Sequence, residues 1–338
     1  MGLSILATGS AHPRRVLTND DLAQMVETSD EWIVSRTGIH SRYVAETETA
    51  LSLAREAGAQ ALAAAGYNAV SAAGFTAGSA AGSGCATGRD SGCDSGRNSG
   101  SGADTDAIKL VLCASITADA AAPSLACYLQ RDLGLPSQLL AFDVNAACSG
   151  FVYALIAAER LLNEGETALL VGSEVLSHVV DFTDRNTCVL FGDGAGAAVV
   201  RKTTGRFEWL ARAQGDDVTL SVRDYIRMDG PEVFRFAVEA LVSGARQVVE
   251  QAGWALADIE HFVCHQANQR IIAAAARRLG LPLERFFVNL ARFGNTSAAS
   301  IPLALDELAR SGRLLRGQRL VLAGFGAGLT SGAVCMEY

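Results

Sequence analysis

Cys148 stands in "DVNAACSGFVYAL" (143–155), where a strand-like run gives way to an apolar helical one. A helix N-terminus offers unpaired N–H groups and about half a positive charge, which favour thiolate over thiol. A thiol at that junction reads as a nucleophile, and the same N–H groups can hold the oxyanion of a thioester under attack. His265 follows the strand-like "HFVC", where an imidazole can stabilise a thiolate or take its proton. Asn295 lies at another junction of this kind, in "GNTSAAS". An Asn donates through its NH2 without titrating. The Gly-rich turn "GFGAGLTSG" (324–332) permits close approach of a second backbone donor.

Most of the other cysteines read as buried apolar residues. Eight Cys are spread through the chain with no C-x-x-C pair, so zinc and thioredoxin-type readings lack support. Cys85 and Cys93 have no His or acidic neighbours in a ligand pattern, and no metal is expected. His12, His40, His178 and His261 belong to no partner motif and read as surface or packing residues. "FGDGAGAA" resembles a nucleotide loop, yet it lies between two strands with no helix following, so the dinucleotide reading fails.

These residues need elements to position them. The 338 residues exceed one ordinary core, and 49% are apolar, ample for two packed halves. Strand-like runs such as "KLVLCASIT", "LLAFDVNAA" and "ETALLVGSEVL" alternate with helical stretches at 51–65 and 151–163, which predicts an α/β architecture. Residues 71–106 are Gly, Ser and Ala and cannot bury enough apolar area to offset their ordering entropy; a flexible surface loop is expected there. A net charge of −8 argues against nucleic acid as a partner. No apolar run is long enough to span a bilayer, and "MGLSILATGSAHPRR" has its charges after its apolar residues, unlike a secretory signal. A cytoplasmic protein is expected.

The chain also resembles itself. "VNAACSGFVYALIAAERLLNEGETALLVGSE" has a counterpart in "VNLARFGNTSAASIPLALDELARSGRLLRGQRLVLAGFG". Aligned on Gly165 and Gly312, both read as strand, turn, helix and strand, with Cys148 opposite Asn295. Upstream, "AIKLVLCASIT" parallels "DIEHFVCHQAN". Two copies of one α/β unit follow, 1–200 and 207–338, split near "RKTTGR". Packed about a pseudo-two-fold axis, they would bring Cys148, His265 and Asn295 to a common point.

"TSDEWIVSRTGI", "DVNAACSGF", "FGDGAGAAVV", "MDGPEVFRFAV", "HQANQRII" and "GNTSAASIPLALDE", in that order, resemble β-ketoacyl-[acyl carrier protein] synthase III. The resemblance covers nearly the whole chain outside 71–106. It implies a thiolase-like fold, a duplicated α/β unit in five αβαβα layers, as a homodimer and without a cofactor. It implies that Cys148 accepts an acyl group from acyl-CoA, and that His265 and Asn295 stabilise the enolate formed as malonyl-[acyl carrier protein] loses CO2. The amides of Cys148 and Ala327 would hold the acyl oxyanion. Trp32 and Arg185 match an adenine sandwich for coenzyme A, and Arg36 a contact to its phosphates. Phe234 and Asn268 match the pantetheine tunnel. Arg235, Arg270, Arg277 and Arg278 match a basic patch that meets the acidic carrier protein.

The chain also departs from the family pattern. "LARAQGDDVTLSVRDY" is a short connection, and a Ser replaces a Trp in "GLTSG". Ala122 stands before Pro123, where relatives with small primers carry a bulky aromatic at the acyl pocket; a wider pocket and acyl chains longer than acetyl are expected. The resemblance leaves a second reading in the same fold: condensation of an unusual or longer starter unit in secondary metabolism. Thiolase and hydroxymethylglutaryl-CoA synthase sites fit less well, because they use a second Cys or a Glu where Asn295 stands. An inactive partner subunit is disfavoured because all three site residues are present.

Overall fold

The computed structural model describes residues 2–67 and 105–338. The segment expected to be a flexible loop, 71–106, lies outside them except for its end, which enters the short turn Thr105–Ala107.

Two mixed sheets form the frame. The first orders its strands Gly2–Ala11, Gly194–Thr203, Thr167–Glu174, Ile108–Ala114 and Leu140–Val144. The second orders Phe207–Asp216, Gly328–Glu337, Arg319–Gly326 and His261–Cys264. Each has antiparallel strands on one side and parallel strands on the other, three in the first sheet and two in the second. A parallel bridge from Phe262 to Phe286 extends the second sheet where the first has its fifth strand.

The strands buried on both faces are continuous apolar runs, as parallel sheets demand: Thr167–Glu174 is buried at every position. Helices Gly150–Leu161 and Ser300–Arg310 lie between the sheets. Phe151, Leu155, Ile301 and Leu305 from these helices join Leu112 and Leu170 of one sheet and Leu322 and Val334 of the other in one core. On the far face of the first sheet, helices Ala50–Ala64 and Leu125–Asp132 cover Val111 and Leu169. Helices Gly230–Gln251 and Gln269–Leu279 cover Val321 and Cys335 of the second. The order is therefore helix, sheet, helix, sheet, helix, the five-layered thiolase-like arrangement.

Local signals set the outer helices. Thr49 and Ser52 form a capping box ahead of Ala50–Ala64. Asp229 caps Gly230–Gln251 with Pro231 in its first turn, and Gly280 ends Gln269–Leu279 in a left-handed conformation.

Candidate active site

The two central helices begin alike. Each follows a 3-10 turn, Ala147–Ser149 or Ser297–Ala299, and neither has a side-chain cap. Ala147 has φ 45° and Ser297 φ 47°. Left-handed backbone at a residue with a Cβ costs about 1–3 kcal/mol and persists only where surroundings enforce it. The matched turns set Cys148 opposite Ala298, so Asn295 comes three residues earlier than the register drawn from the two glycines requires. In the second case the helix is one residue shorter and its glycine turn two residues closer, which displaces that register.

The turns are held by the strand ends beneath them. A Cβ on Gly326 would stand 2.6 Å from the Cys148 amide nitrogen, so the strand reaches the thiol's turn only because that residue has no side chain. Thr330 Oγ1 lies 3.1 Å from the Ala146 carbonyl and 2.9 Å from that of Ala327, and Ser149 Oγ donates to it at 2.8 Å. These bonds tie the Ala327 backbone to the Cys148 turn.

Asn295 is fixed at both ends of its backbone. Its N–H donates to Leu190 O at 2.8 Å, and its carbonyl accepts from Gly192 N at 3.0 Å. Its Oδ1 accepts the Ser297 N–H at 2.9 Å, which leaves the NH2 as the end free to donate to the cavity. The glycine-rich segment that resembles a nucleotide loop serves instead to hold the site together. Phe191 and Gly192 dock Asn295, and the buried Asp193 accepts from Ala45 N, Ser177 N and Ser177 Oγ.

His265 is 1% exposed and packs edge-on against Phe325, with ring centroids 5.0 Å apart. Its Nδ1 lies 2.7 Å from Ser300 Oγ, which also accepts the Gln266 N–H at 3.3 Å. When the Ser300 hydroxyl donates its hydrogen bond to Nδ1, the neutral ring carries its hydrogen on Nε2, which is then a donor.

Burial governs the charges. It pushes the Cys148 thiol up to about 12, against a lowering contribution from the Ser297 hydroxyl and a further raising one from the Glu174 carboxyl. Burial holds His265 down at about 3. At neutral pH burial favours a thiol and a neutral imidazole on the pocket floor, opposing the thiolate that the helix terminus favours.

Cys148, His265, Asn295 and Ala327 line one cavity of about 570 Å³. Trp32, Arg36, Phe234, Arg235, Asn268 and Arg270 also line it. Its apolar wall includes Leu220, Val222 and Ile226, from a two-stranded ribbon. The guanidiniums of Arg36 and Arg185 each lie 4.7 Å from the Trp32 ring centroid. Asn268 caps helix Gln269–Leu279 and donates from Nδ2 to Arg36 O at 3.0 Å. Arg277 and Arg278 are exposed in the last turn of that helix, and Arg278 pairs with Glu239 at 2.7 Å. Arg235 pairs with Glu232. Ala122 is exposed and does not line the cavity of its own chain. Among the described residues, no group of three or more His, Cys, Asp or Glu gathers to hold a metal.

Sequence reasoning passed over three residues: Ser297, which lines the cavity, Ser300, which bonds His265, and Glu174, which lies beneath the Ser297 turn. Their signal was the matched pair of turns, which puts Ser297 where the first turn has Ala147.

Two family models match the chain: "3-Oxoacyl-[acyl-carrier-protein (ACP)] synthase III" over residues 142–217 and its C-terminal counterpart over 249–338. The β-ketoacyl-[acyl-carrier-protein] synthase III of Neisseria meningitidis serogroup B is 42% identical, over 99% of this chain and 98% of that protein. The synthase of Clostridium acetobutylicum is 37% identical with the same coverage. The crystal structure of 3-oxoacyl-[acyl-carrier-protein] synthase III from Aquifex aeolicus superposes with a TM-score of 0.86 at 38% identity, covering both chains completely.

Proposed function

The chain belongs to the 3-oxoacyl-[acyl-carrier-protein] synthase III family, and from that premise we propose that it condenses an acyl-CoA primer with malonyl-[acyl carrier protein] through an acyl-Cys148 intermediate. It is a condensing acyltransferase that initiates fatty acid synthesis. We read the halves 1–200 and 207–338 as supplying the nucleophile and the enolate-stabilising pair respectively. One observation carries the assignment of roles: Cys148, His265 and Asn295 share a cavity.

In the first half-reaction the Cys148 sulfur attacks the primer thioester, and the amides of Cys148 and Ala327 hold the oxyanion. Their fixed spacing, through Gly326 and Thr330, supports that pairing. In the second, Nε2–H of His265 and the NH2 of Asn295 donate to the malonyl thioester oxygen as CO2 leaves. Each aligned donor contributes roughly 3 kcal/mol to the transition state. The low proton affinity of His265 suits this role, because a neutral ring donates without taking a proton from the enolate's surroundings. The carbanion then attacks the acyl-Cys148 carbonyl and expels the Cys148 sulfur as a thiolate, which takes up a proton from solvent to restore the thiol.

Trp32, Arg36 and Arg185 form the coenzyme A mouth in this reading, with Phe234 and Asn268 along the pantetheine path. Arg235, Arg270, Arg277 and Arg278 meet the carrier protein; Arg235 and Arg278 exchange their present acidic partners for its carboxylates. A homodimer is part of the proposal. Strand Leu140–Val144 is a sheet edge with Leu140 54% and Phe142 38% exposed, and Ala122 could enter an acyl pocket only from a second copy. No helix among the described residues is long and apolar enough to cross a membrane, and we place the enzyme in the cytoplasm.

Intact-mass measurement after incubation with acetyl-CoA and medium-chain acyl-CoAs tests this reading. The wild-type chain gains one acyl group, with chains longer than acetyl accepted, and Cys148→Ala gains none. Acylation of Cys148→Ala, or none of the wild type with any donor, overturns the assignment; strict preference for acetyl overturns only the wide pocket.

A further inference from the structure

Glu174 ends the central strand Thr167–Glu174 and is fully buried, with no cation in ion-pair distance among the described residues. Its two oxygens differ. Oε2 accepts from Thr117 Oγ1 at 2.6 Å, Ile116 N at 3.1 Å and Ser115 Oγ at 3.3 Å. Both hydroxyls are committed as donors, because Thr117 Oγ1 already accepts Val175 N and Ser115 Oγ already accepts Thr117 N. Oε1 has one long contact, 3.5 Å from Ala298 N. The oxygen with basic capacity to spare is the one facing the Ser297 turn.

Ser297 Oγ is buried with no hydrogen-bond partner among the described residues, and its hydroxyl contributes a lowering influence on the proton affinity of both the Cys148 thiol and the Glu174 carboxyl. It also lines the cavity. A hydroxyl with no settled partner, between an acid and a base, can turn from one to the other. We propose that Glu174, acting through the Ser297 hydroxyl, takes up the proton that Cys148 gives up on acylation.

This step rests on reading Cys148 as the nucleophile. The S–H bond breaks as its proton moves to Ser297 Oγ, and the Ser297 O–H proton moves to Glu174 Oε1. The freed sulfur pair forms the bond to the thioester carbon. When the tetrahedral adduct collapses, the C–S bond to coenzyme A breaks, and the leaving sulfur recovers the proton from Glu174 through the same hydroxyl. The products are acyl-Cys148, coenzyme A thiol and an ionised Glu174. Glu174 touches no reacting carbon and is a positioning residue for the proton.

The rival base in the cavity is His265. Burial lowers it to about 3 but raises Glu174 to about 7, so Glu174 holds a proton better by several units. The loop 115–117 and the turn Ser297–Ala299 present only hydroxyls and amides to Glu174, and the turn Ala147–Ser149 presents Cys148 as the one titratable group facing it.

The test is the pH profile of the acylation rate, read by rapid quench and intact mass with acetyl-CoA on the full chain. For the wild type the rate rises about tenfold from pH 6 to 8, through an inflection near 7, as Glu174 ionises. Glu174→Gln and Ser297→Ala each remove the inflection and slow acylation roughly 100-fold at pH 8, and the double variant is no slower than either. Thr117→Val removes a donor to the carboxylate and moves the inflection up by about one unit, which a merely structural role would not do. A folded Glu174→Gln with the wild-type profile overturns the step, as do single effects that multiply. If Glu174→Gln does not fold, an unmoved inflection in Thr117→Val together with an undiminished rate in Ser297→Ala overturns it. A wild type that is never acylated removes the nucleophile itself, a result distinct from these.

Discussion

The turns Ala147–Ser149 and Ser297–Ala299 share one backbone and face each other, yet they rest on different floors. Beneath the first, the strand Arg319–Gly326 ends in a glycine; beneath the second, the corresponding strand ends in Glu174. The first floor admits main chain to within touching distance of Cys148 and presents only backbone to its turn. The second supplies a buried carboxyl, the hydroxyl of Ser297 and, three residues ahead of Ala298, the carboxamide of Asn295. Similar backbone with different side chains separates the two roles. In the mechanism proposed above, one turn presents the nucleophile and an oxyanion cradle, and the other presents donors and a proton holder.

That division is broken most directly at Asn295. Asn295→Ala should leave acylation of Cys148 within a few-fold while decarboxylative condensation falls by about 100- to 1,000-fold. Single-turnover acylation and steady-state condensation, measured side by side, check it. Equal losses in both would mean that the turns do not divide the labour.

His265 tests the absence of charge between the turns. Its folded-state value, about 3, lies below the ordinary 6.5, so the unfolded chain takes the proton first. Stability is therefore intact above pH 6.5 and is lost progressively as pH falls towards 3. Relative to His265→Gln, the wild type should lose roughly 3 kcal/mol of unfolding free energy between pH 7 and 4, measured by urea titration at each pH.

The floors can be exchanged in part. Gly326→Ala brings a Cβ to 2.6 Å from the Cys148 nitrogen, and Gly172→Ala brings one to 2.3 Å from the Ala298 carbonyl. Each should cost about 1–3 kcal/mol of stability as its turn is displaced. The kinetic consequences should separate: Gly326→Ala impairs acylation first, and Gly172→Ala impairs condensation first.

Much of this was legible in the chain, for physical reasons that differ by residue. That Cys148, His265 and Asn295 line one cavity could be anticipated because each stands at the end of a strand-like run where a turn or helix begins. Alternating apolar runs and the internal repeat carried the α/β architecture and its duplication, whereas the five layers were implied by the family resemblance. The protonation state of Cys148 was not legible, because a helix terminus is visible in sequence whereas the dry surroundings that oppose it come from residues far along the chain. Glu174 was hidden for the same reason: "VGSEVL" reads as an ordinary strand end until Ser115, Thr117 and Ser297 close around it. The register slipped because glycines after a helix mark its end, not its beginning.

Trp32 lies outside both turns, at the cavity mouth, and should therefore alter binding without altering either chemistry. Arg36 and Arg185 both stand 4.7 Å from its ring centroid. An adenine between Trp32 and Arg185 needs two contact layers of about 3.5–4.0 Å each, so the Arg185 side chain must swing away, giving up its 2.9 Å bond to Glu27 O. The net gain from stacking is then modest, about 1 kcal/mol at a half-exposed site. Trp32→Ala should raise KM for acyl-CoA roughly five- to tenfold with kcat unchanged. KM for malonyl-[acyl carrier protein], which has no adenine, should stay where it is. A matching rise for the carrier-protein substrate would assign Trp32 to the shared pantetheine path instead, and a fall in kcat would tie the mouth to the turns after all.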